Sequence, residues 1–303
     1  MTPRTIAALA LLALAPSAHT QEEAFSLDHF KRTGQVVIAH REASIGFSYT
    51  TRDDRPAGYS VDVCNRIAER LGRHLGIRDL RVRYAKATAL TRFLLVKGKH
   101  ADLECGNTTH TVDRQRDFLF SNTIATSSSR LIALKESGLR DVEDLRGKRL
   151  AVIAETTDAA TARRFVAARG LDVEIVPMRN NLRAYQAVMD GKVAAFFGTE
   201  AALRGEAVRR GAQDRLAVIP GLEVEENLAV MMAKDRPALK EFVDRQIAEM
   251  ARSGELARLH ERWFLKPLPH FEVALGMPMS ASTKAALAHP NDTPTVEPEF
   301  ARP

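Results

Sequence analysis

Beyond its first few residues this chain of 303 has no long hydrophobic run, no block of basic residues, only two cysteines and one tryptophan. A membrane-spanning helix needs ~20 consecutive apolar residues, so none is expected in the body of the chain. The nine histidines and two cysteines fall at no metal-ligand spacing, and neither a glycine-rich phosphate loop nor a nucleophilic triad accompanies them. No metal and no cofactor are therefore expected. A formal net charge of +6 is spread over scattered Lys and Arg, and aromatics make up 6% of the residues. Nucleic-acid binding, which calls for a basic stripe with interleaved aromatics, is disfavoured; a general attraction for small anions remains.

What is present begins with "MTPRTIAALALLALAPSAHTQEE": one positive charge at Arg4, an apolar run from Ile6 to Ala15, then small residues. This is the pattern of a secretory signal peptide, assigned to residues 1–20, and it predicts export to the periplasm. No cysteine near the end of the run invites lipidation. Cys64 and Cys105 remain after cleavage. Their even number in an oxidising compartment favours a disulfide, with two buried thiols as the alternative.

A chain of this length with 45% hydrophobic residues fits two domains better than one. From Gln35 strand and helix patterns alternate. "QVVIAH" reads as a buried strand, and "SVDVCNRIAERLGRHLG" carries Cys64, Ile67, Ala68, Leu71 and Leu75 at helical spacing. "LRVRYA", "ADLECG", "RLIALK", "RLAVIAE", "VEIVPM", "VAAFFGT" and "ENLAVMMAK" read as further strands with helices between them. Such alternation predicts an α/β fold with mainly parallel sheets. Seven of the 13 prolines follow Lys266, which predicts an extended tail with at most one short helix, "SASTKAALA".

In open α/β sheets ligands bind where strands end and helices begin, because free N–H groups point outward there. "ADLECGNTTHTVDRQRDF" sits at such a place, offering Asn107, Thr108 and Thr109 with Arg114 shortly beyond; "AVIAETTD" delivers Thr156 and Thr157 in the same way. Either Thr pair could simply cap a helix. Two hydroxyl-rich junctions together favour a shared ligand.

Read in order, "GYSVDVCNRIAERLG", "ADLECGNTTHTVDRQRDFLFS", "VEDLRGKRLAVIAETT" and "SGELARLHERWF" resemble the periplasmic amino-acid-binding proteins of ABC importers, over roughly Gln35 to Pro267. "REASIGFSY" and "GMPMSASTKAALAHPNDTP" resemble the glutamate/aspartate branch of that family. The resemblance implies a two-lobed type II periplasmic binding fold with the ligand between the lobes. Lobe 1 would comprise 27–125 and 227–267, lobe 2 126–226, and the tail 268–303, with crossings near Ile124 to Ser129 and Glu223 to Asn227. It also implies a monomer that passes its ligand to the membrane subunits of an ABC permease. Arg114, assisted by Thr109 and Asn107, would clamp the ligand α-carboxylate through two parallel charge-assisted bonds. Arg41 and Arg92, with Thr88 nearby, would hold a distal carboxylate. The second lobe would add Thr156, Thr157, Asn181, Thr199 and Glu200.

Several positions depart from the family pattern. Glu155 stands where relatives read Gly, Asn181 where the branch has a His, Ala89 where a Ser lies beside the distal Arg, and Leu228-Ala229 where Tyr-Gly is usual. Thr199, with Glu200 beside it, stands where relatives carry the Asp that holds the ligand ammonium. An ammonium left without its acid can cost several kcal/mol. Either Glu200 or Glu155 supplies that acid and the ligand is glutamate or aspartate, or the ligand is an amine-free dicarboxylate. The same scaffold hosts cyclohexadienyl dehydratases, for which Glu155 and Glu200 are the candidate general acids. Capture without catalysis is the expected activity.

Overall fold

The computed structural model describes residues 26–269 and 271–300, so the expected signal peptide lies outside the described residues. Two five-stranded sheets form the frame. The first runs Arg81–Ala87, Gln35–Arg41, Leu103–Glu104, Met231–Ala233, Phe118–Phe120; the second runs Val173–Met178, Lys148–Ile153, Ala195–Thr199, Ala125–Leu134, Leu216–Leu228. A small sheet of Ala43–Ser44, Ser48–Thr50 and Pro56–Ala57 caps the first.

The sheets are mixed, not mainly parallel. The strands that alternate with helices pair in parallel, as Gln35–Arg41 does with both its neighbours. The antiparallel pairings come from the segments that connect the two halves. Ala125–Leu134 leaves the first half and Leu216–Leu228 returns to it, and the two run antiparallel with Thr126 opposite Asn227. A chain that crosses and comes back must reverse direction, and "ENLAVMMAK" is accordingly divided between the returning strand and Met231–Ala233.

The periodicity of the first long helix accounts for its packing. Tyr59–Leu75 buries Val63, Cys64, Ile67, Ala68 and Leu71 along one stripe, and Gly76 ends it in the left-handed conformation that glycine adopts without steric cost. Cys64 is bonded to Cys105 across a Cα–Cα distance of 6.3 Å. That bond anchors the helix to the chain just before the Asn107–Thr109 loop.

The residues after Lys266 carry the helix Ala281–Ala288, whose N-cap Ser280 accepts from the Thr283 N–H. Leu268, Leu275 and Leu287 are buried in the first half's core. Further on, the Thr295 N–H donates to the His110 carbonyl at 2.7 Å and its hydroxyl accepts from the Asn227 N–H at 2.8 Å. Phe300 then meets Phe165 edge-on at 5.1 Å, on the second half. The tail thus runs over the connecting strands and touches both halves.

Candidate functional site

Three parallel strands of the first sheet release their loops at one edge. Arg41 is the last residue of its strand, in register with Ala87, and Ala39 two residues earlier is opposite Glu104. The chain after Ala87 turns through Thr88, which exchanges hydrogen bonds with Thr91, and enters Thr91–Lys97 with Arg92 in its first turn. The chain after Glu104 supplies Asn107, Thr108 and Thr109, and Arg114 opens the following short turn. Arg41, Arg92 and Arg114 are therefore delivered to one place by three separate loops.

The three guanidinium groups sense one another. Burial, and then the neighbouring Arg92, push Arg41 and Arg114 down to about 9. Arg92, 2% exposed, is lowered mainly by burial. Arg92 and Arg114 both lie over the Phe93 ring, at 4.7 and 5.1 Å. Arg114 Nη1 donates to the Thr109 carbonyl at 2.7 Å and Arg41 Nη1 to Asn107 Oδ1 at 3.2 Å. The buried Nε atoms of Arg41 and Arg92 meet no hydrogen-bond acceptor among the described residues. Desolvated donors of this kind favour an anion between them.

Three acids that the sequence reading missed stand close by: Glu104 on the strand next to that of Arg41, and Asp158 and Glu226, all nearly inaccessible. Glu104 acts favourably on all three arginines. Gly106 makes room for it, since a Cβ there would stand 2.3 Å from Glu104 Oε1 and 2.8 Å from Arg41 Cγ. Glu226 lies on the returning connection and accepts from Thr109 Oγ1 at 2.9 Å. Asp158 occupies the first turn of Thr157–Arg169. Its carboxyl is pushed up to about 8, by burial and then by Glu226, while Ser129, Arg114 and Arg92 pull it down. Glu104 could have been suspected as an acid set between Leu103 and Cys105. Asp158 reads in sequence as an ordinary helix-start acid, and Glu226 hides in the charged run "EVEEN".

Between its ordinary range and about 8, folded Asp158 keeps a proton that the unfolded chain has released. Its contribution to stability therefore falls as pH rises across that window. Asp158→Asn is expected to melt higher than the wild type without ligand, with a gap that widens from pH 5 to pH 8; a gap that does not change with pH would contradict this.

The second half meets the first through several of the expected residues. Thr157 Oγ1 lies 3.2 Å from Thr109 Oγ1, and Asn107 Nδ2 donates to Thr199 Oγ1 at 3.3 Å. Asn181 Nδ2 donates to the Ala43 carbonyl at 2.7 Å, and Asn180 to Glu42. Thr156 serves as a helix cap: its hydroxyl accepts from the Ala159 N–H and donates to the Ile153 carbonyl. Glu200 is not brought to the arginine cluster; its carboxylate is taken by Arg204 at 2.7 Å and Arg130 at 3.5 Å. Glu155 is exposed and sits at φ +59, in the left-handed region. A side chain there is strained, and glycine would adopt the same conformation without steric cost. Glu155→Gly is expected to raise stability by at most about 1 kcal/mol in a thermal melt, because strain relief is partly offset by added backbone entropy, and to leave ligand affinity unchanged. Among the described residues no group of His, Cys, Asp or Glu is placed to hold a metal ion.

The chain is similar to known proteins in sequence and in fold. The chain is 32% identical over 268 residues to the L-glutamate/L-aspartate-binding protein of Pseudomonas aeruginosa, covering 88% of this chain and 89% of that one. It is 30% identical over 292 residues to the glutamate/aspartate import solute-binding protein of Escherichia coli, covering 94% and 97%. An ancestral amino acid-binding protein, AncCDT-1, a precursor of cyclohexadienyl dehydratase, superposes with a TM-score of 0.68 at 20% identity, over 78% of this chain and 98% of that one. The fold is the two-lobed type II architecture that the motifs lead one to expect. The profile that matches residues 36–266 carries the description "Bacterial extracellular solute-binding proteins, family 3". With two sheets joined by a pair of crossing strands and a polar cluster between them, the chain belongs to that family.

Proposed function

We propose that this protein captures a small acidic amino acid, glutamate or aspartate, in the periplasm by closing its lobes on it, and delivers it to the membrane subunits of an ABC permease. In this reading the lobes are 27–125 with 227–267, and 126–226; residues 268–303 form the tail, and the protein acts as a monomer. Arg114 takes the α-carboxylate and Arg41 and Arg92 the distal one, while Asn107, Thr109, Thr157 and Thr199 provide polar contacts as the lobes close. The observation that carries the reading is the convergence of three arginines from three loops, Arg41 and Arg92 buried and Arg114 half-buried beside them. Two carboxylates on one ligand offset their mutual repulsion as no neutral or cationic amino acid could. The Pseudomonas and Escherichia relatives bear names that fit this choice.

The test is a thermal-shift screen of refolded mature protein, since a ligand that binds only the native state raises its apparent stability. L-glutamate or L-aspartate is expected to raise the melting temperature. A shift confined to glutarate or succinate would favour the reading as an amine-free dicarboxylate binder.

One observation favours a second reading, as a dehydratase. Asp158, buried and with its carboxyl pushed up to about 8, has the proton-donor character such an enzyme requires, whereas Glu155 is exposed and Glu200 is paired with Arg204. Turnover of prephenate by the purified protein would establish it.

A further inference from the structure

We propose that Asp158, seconded by Glu226, is the group that holds the ligand ammonium in this protein, and that it selects acids bearing an α-amine over their amine-free counterparts. The inference rests on the proposed capture of an acidic amino acid. At the end of Ala195–Thr199 the strand itself offers no free acid: Thr199 is uncharged, and Glu200 next to it is committed to Arg204 and Arg130. The space beside that strand end is filled from another element. A Cβ built on Gly198 would stand 3.8 Å from Asp158 Oδ2, so this carboxylate flanks the end of Ala195–Thr199 although its own backbone belongs to the neighbouring helix.

The charges around Asp158 follow what a zwitterion requires. An α-amine and α-carboxylate share one carbon, so their receptors must be adjacent. Thr157, next to Asp158 in the chain, lies 3.2 Å from Thr109, whose carbonyl holds Arg114, and Glu226, Ser129, Arg114 and Arg92 all act on the Asp158 carboxyl. Arg41 is balanced by Glu104 and Glu42. Asp158 is 6% exposed and Glu226 is equally buried. Two carboxylates enclosed together repel one another, and a cation placed against them relieves that repulsion. Thr109 and Thr157, which link Glu226 to the helix bearing Asp158, complete a polar wall suited to an ammonium. The unmatched Nε of Arg92, 2% exposed and acting on Asp158, marks the same region as one built for a ligand.

The experiment is calorimetric titration of the wild type, Asp158→Asn and Asp158→Asn/Thr199→Asp with L-glutamate and with glutarate, with circular dichroism melts to establish that each variant folds. The wild type is expected to prefer glutamate. Asp158→Asn should weaken glutamate by about a hundredfold or more, the loss typical when one member of a buried charge pair is truncated, and change glutarate by less than about threefold. Thr199→Asp in that background should recover part of the glutamate affinity by returning an acid to the neighbouring strand end. Unchanged glutamate affinity in Asp158→Asn, or equal losses for both ligands, would overturn the assignment. Wild-type binding of glutarate alone would overturn it while leaving dicarboxylate capture standing; binding of neither would overturn the proposed function as well.

Discussion

Arg114→Ala is expected to weaken binding of every carboxylate ligand severely, whereas Arg92→Ala should fall hardest on dicarboxylates. The Arg114 guanidinium donates to the Thr109 carbonyl and lies over the Phe93 ring, and Arg92, Glu226, Glu104 and Asp158 act on its charge. Removing one partner of a buried, hydrogen-bonded charge pair costs roughly 2–5 kcal/mol, a loss of about thirtyfold to several thousandfold in affinity. Arg114→Lys should keep the charge but lose the two-pronged geometry, and fall between wild type and Ala. Calorimetric titration reads all three. Equal affinities for wild type and Arg114→Ala would remove Arg114 from the site.

A comparable effect is expected at a residue that touches no ligand. Gly205 lies within the helix Glu200–Arg209 of the second half, where glycine ordinarily weakens a helix. The reason for it here is Ile45, fully buried on the loop between Ala43–Ser44 and Ser48–Thr50 of the first half: a Cβ at position 205 would stand 2.3 Å from Ile45 Cβ. The two halves interlock at this point, with the Asn181 amide bonded to Ala43 alongside. Gly205→Ala should force them apart at a cost of roughly 1–3 kcal/mol, a figure typical of overpacking. That cost falls on the closed form, and affinity should drop by about five- to 150-fold with the contact residues intact. Ile45→Ala introduced into Gly205→Ala should recover most of the loss by removing the opposing methyl groups. Full affinity in Gly205→Ala alone would show that capture does not require this interlock.

Much of the fold is legible in the sequence because it depends on local periodicity. The apolar stripe of Tyr59–Leu75 and the strands Gln35–Arg41, Arg81–Ala87 and Lys148–Ile153 follow directly from patterns that period alone distinguishes. The direction of strand pairing is less accessible, since it depends on where the chain crosses between halves, and Ala125–Leu134 reads like any other strand. In the site, the hydroxyl loops and Arg114 are legible from residue type and position, and Arg41 and Arg92 only through the family resemblance. The buried acids are not: whether Glu226 or its neighbour Glu225 faces inward depends on the pleat of a strand whose register shifts between Ile219 and Glu223. The side chain of Glu225 instead accepts from Thr126 and Ser282 near the tail. Glu200 attracts attention by its place beside Thr199, yet Arg204, one helical turn on, takes its charge. Nor does the proline-rich composition of the tail show that Leu268, Leu275 and Leu287 are core residues.

Position 199 carries no acid, and the buried carboxylate of Asp158 stands beside the same strand end. Its burial has a cost without ligand, expressed in the raised proton affinity of Asp158, and that cost disappears when a cation binds against it. Stability of the empty protein and affinity for an amine-bearing ligand are expected to move in opposite directions at this one residue.

The most direct test of the account is a calorimetric titration of ligand-stripped, refolded wild-type protein with L-glutamate. One-to-one binding with a dissociation constant in the micromolar range or tighter is expected of a closed cleft with three arginines and a paired ammonium site. Absence of binding, while the protein melts cooperatively and therefore is folded, would contradict the central claim that this cleft captures an acidic amino acid.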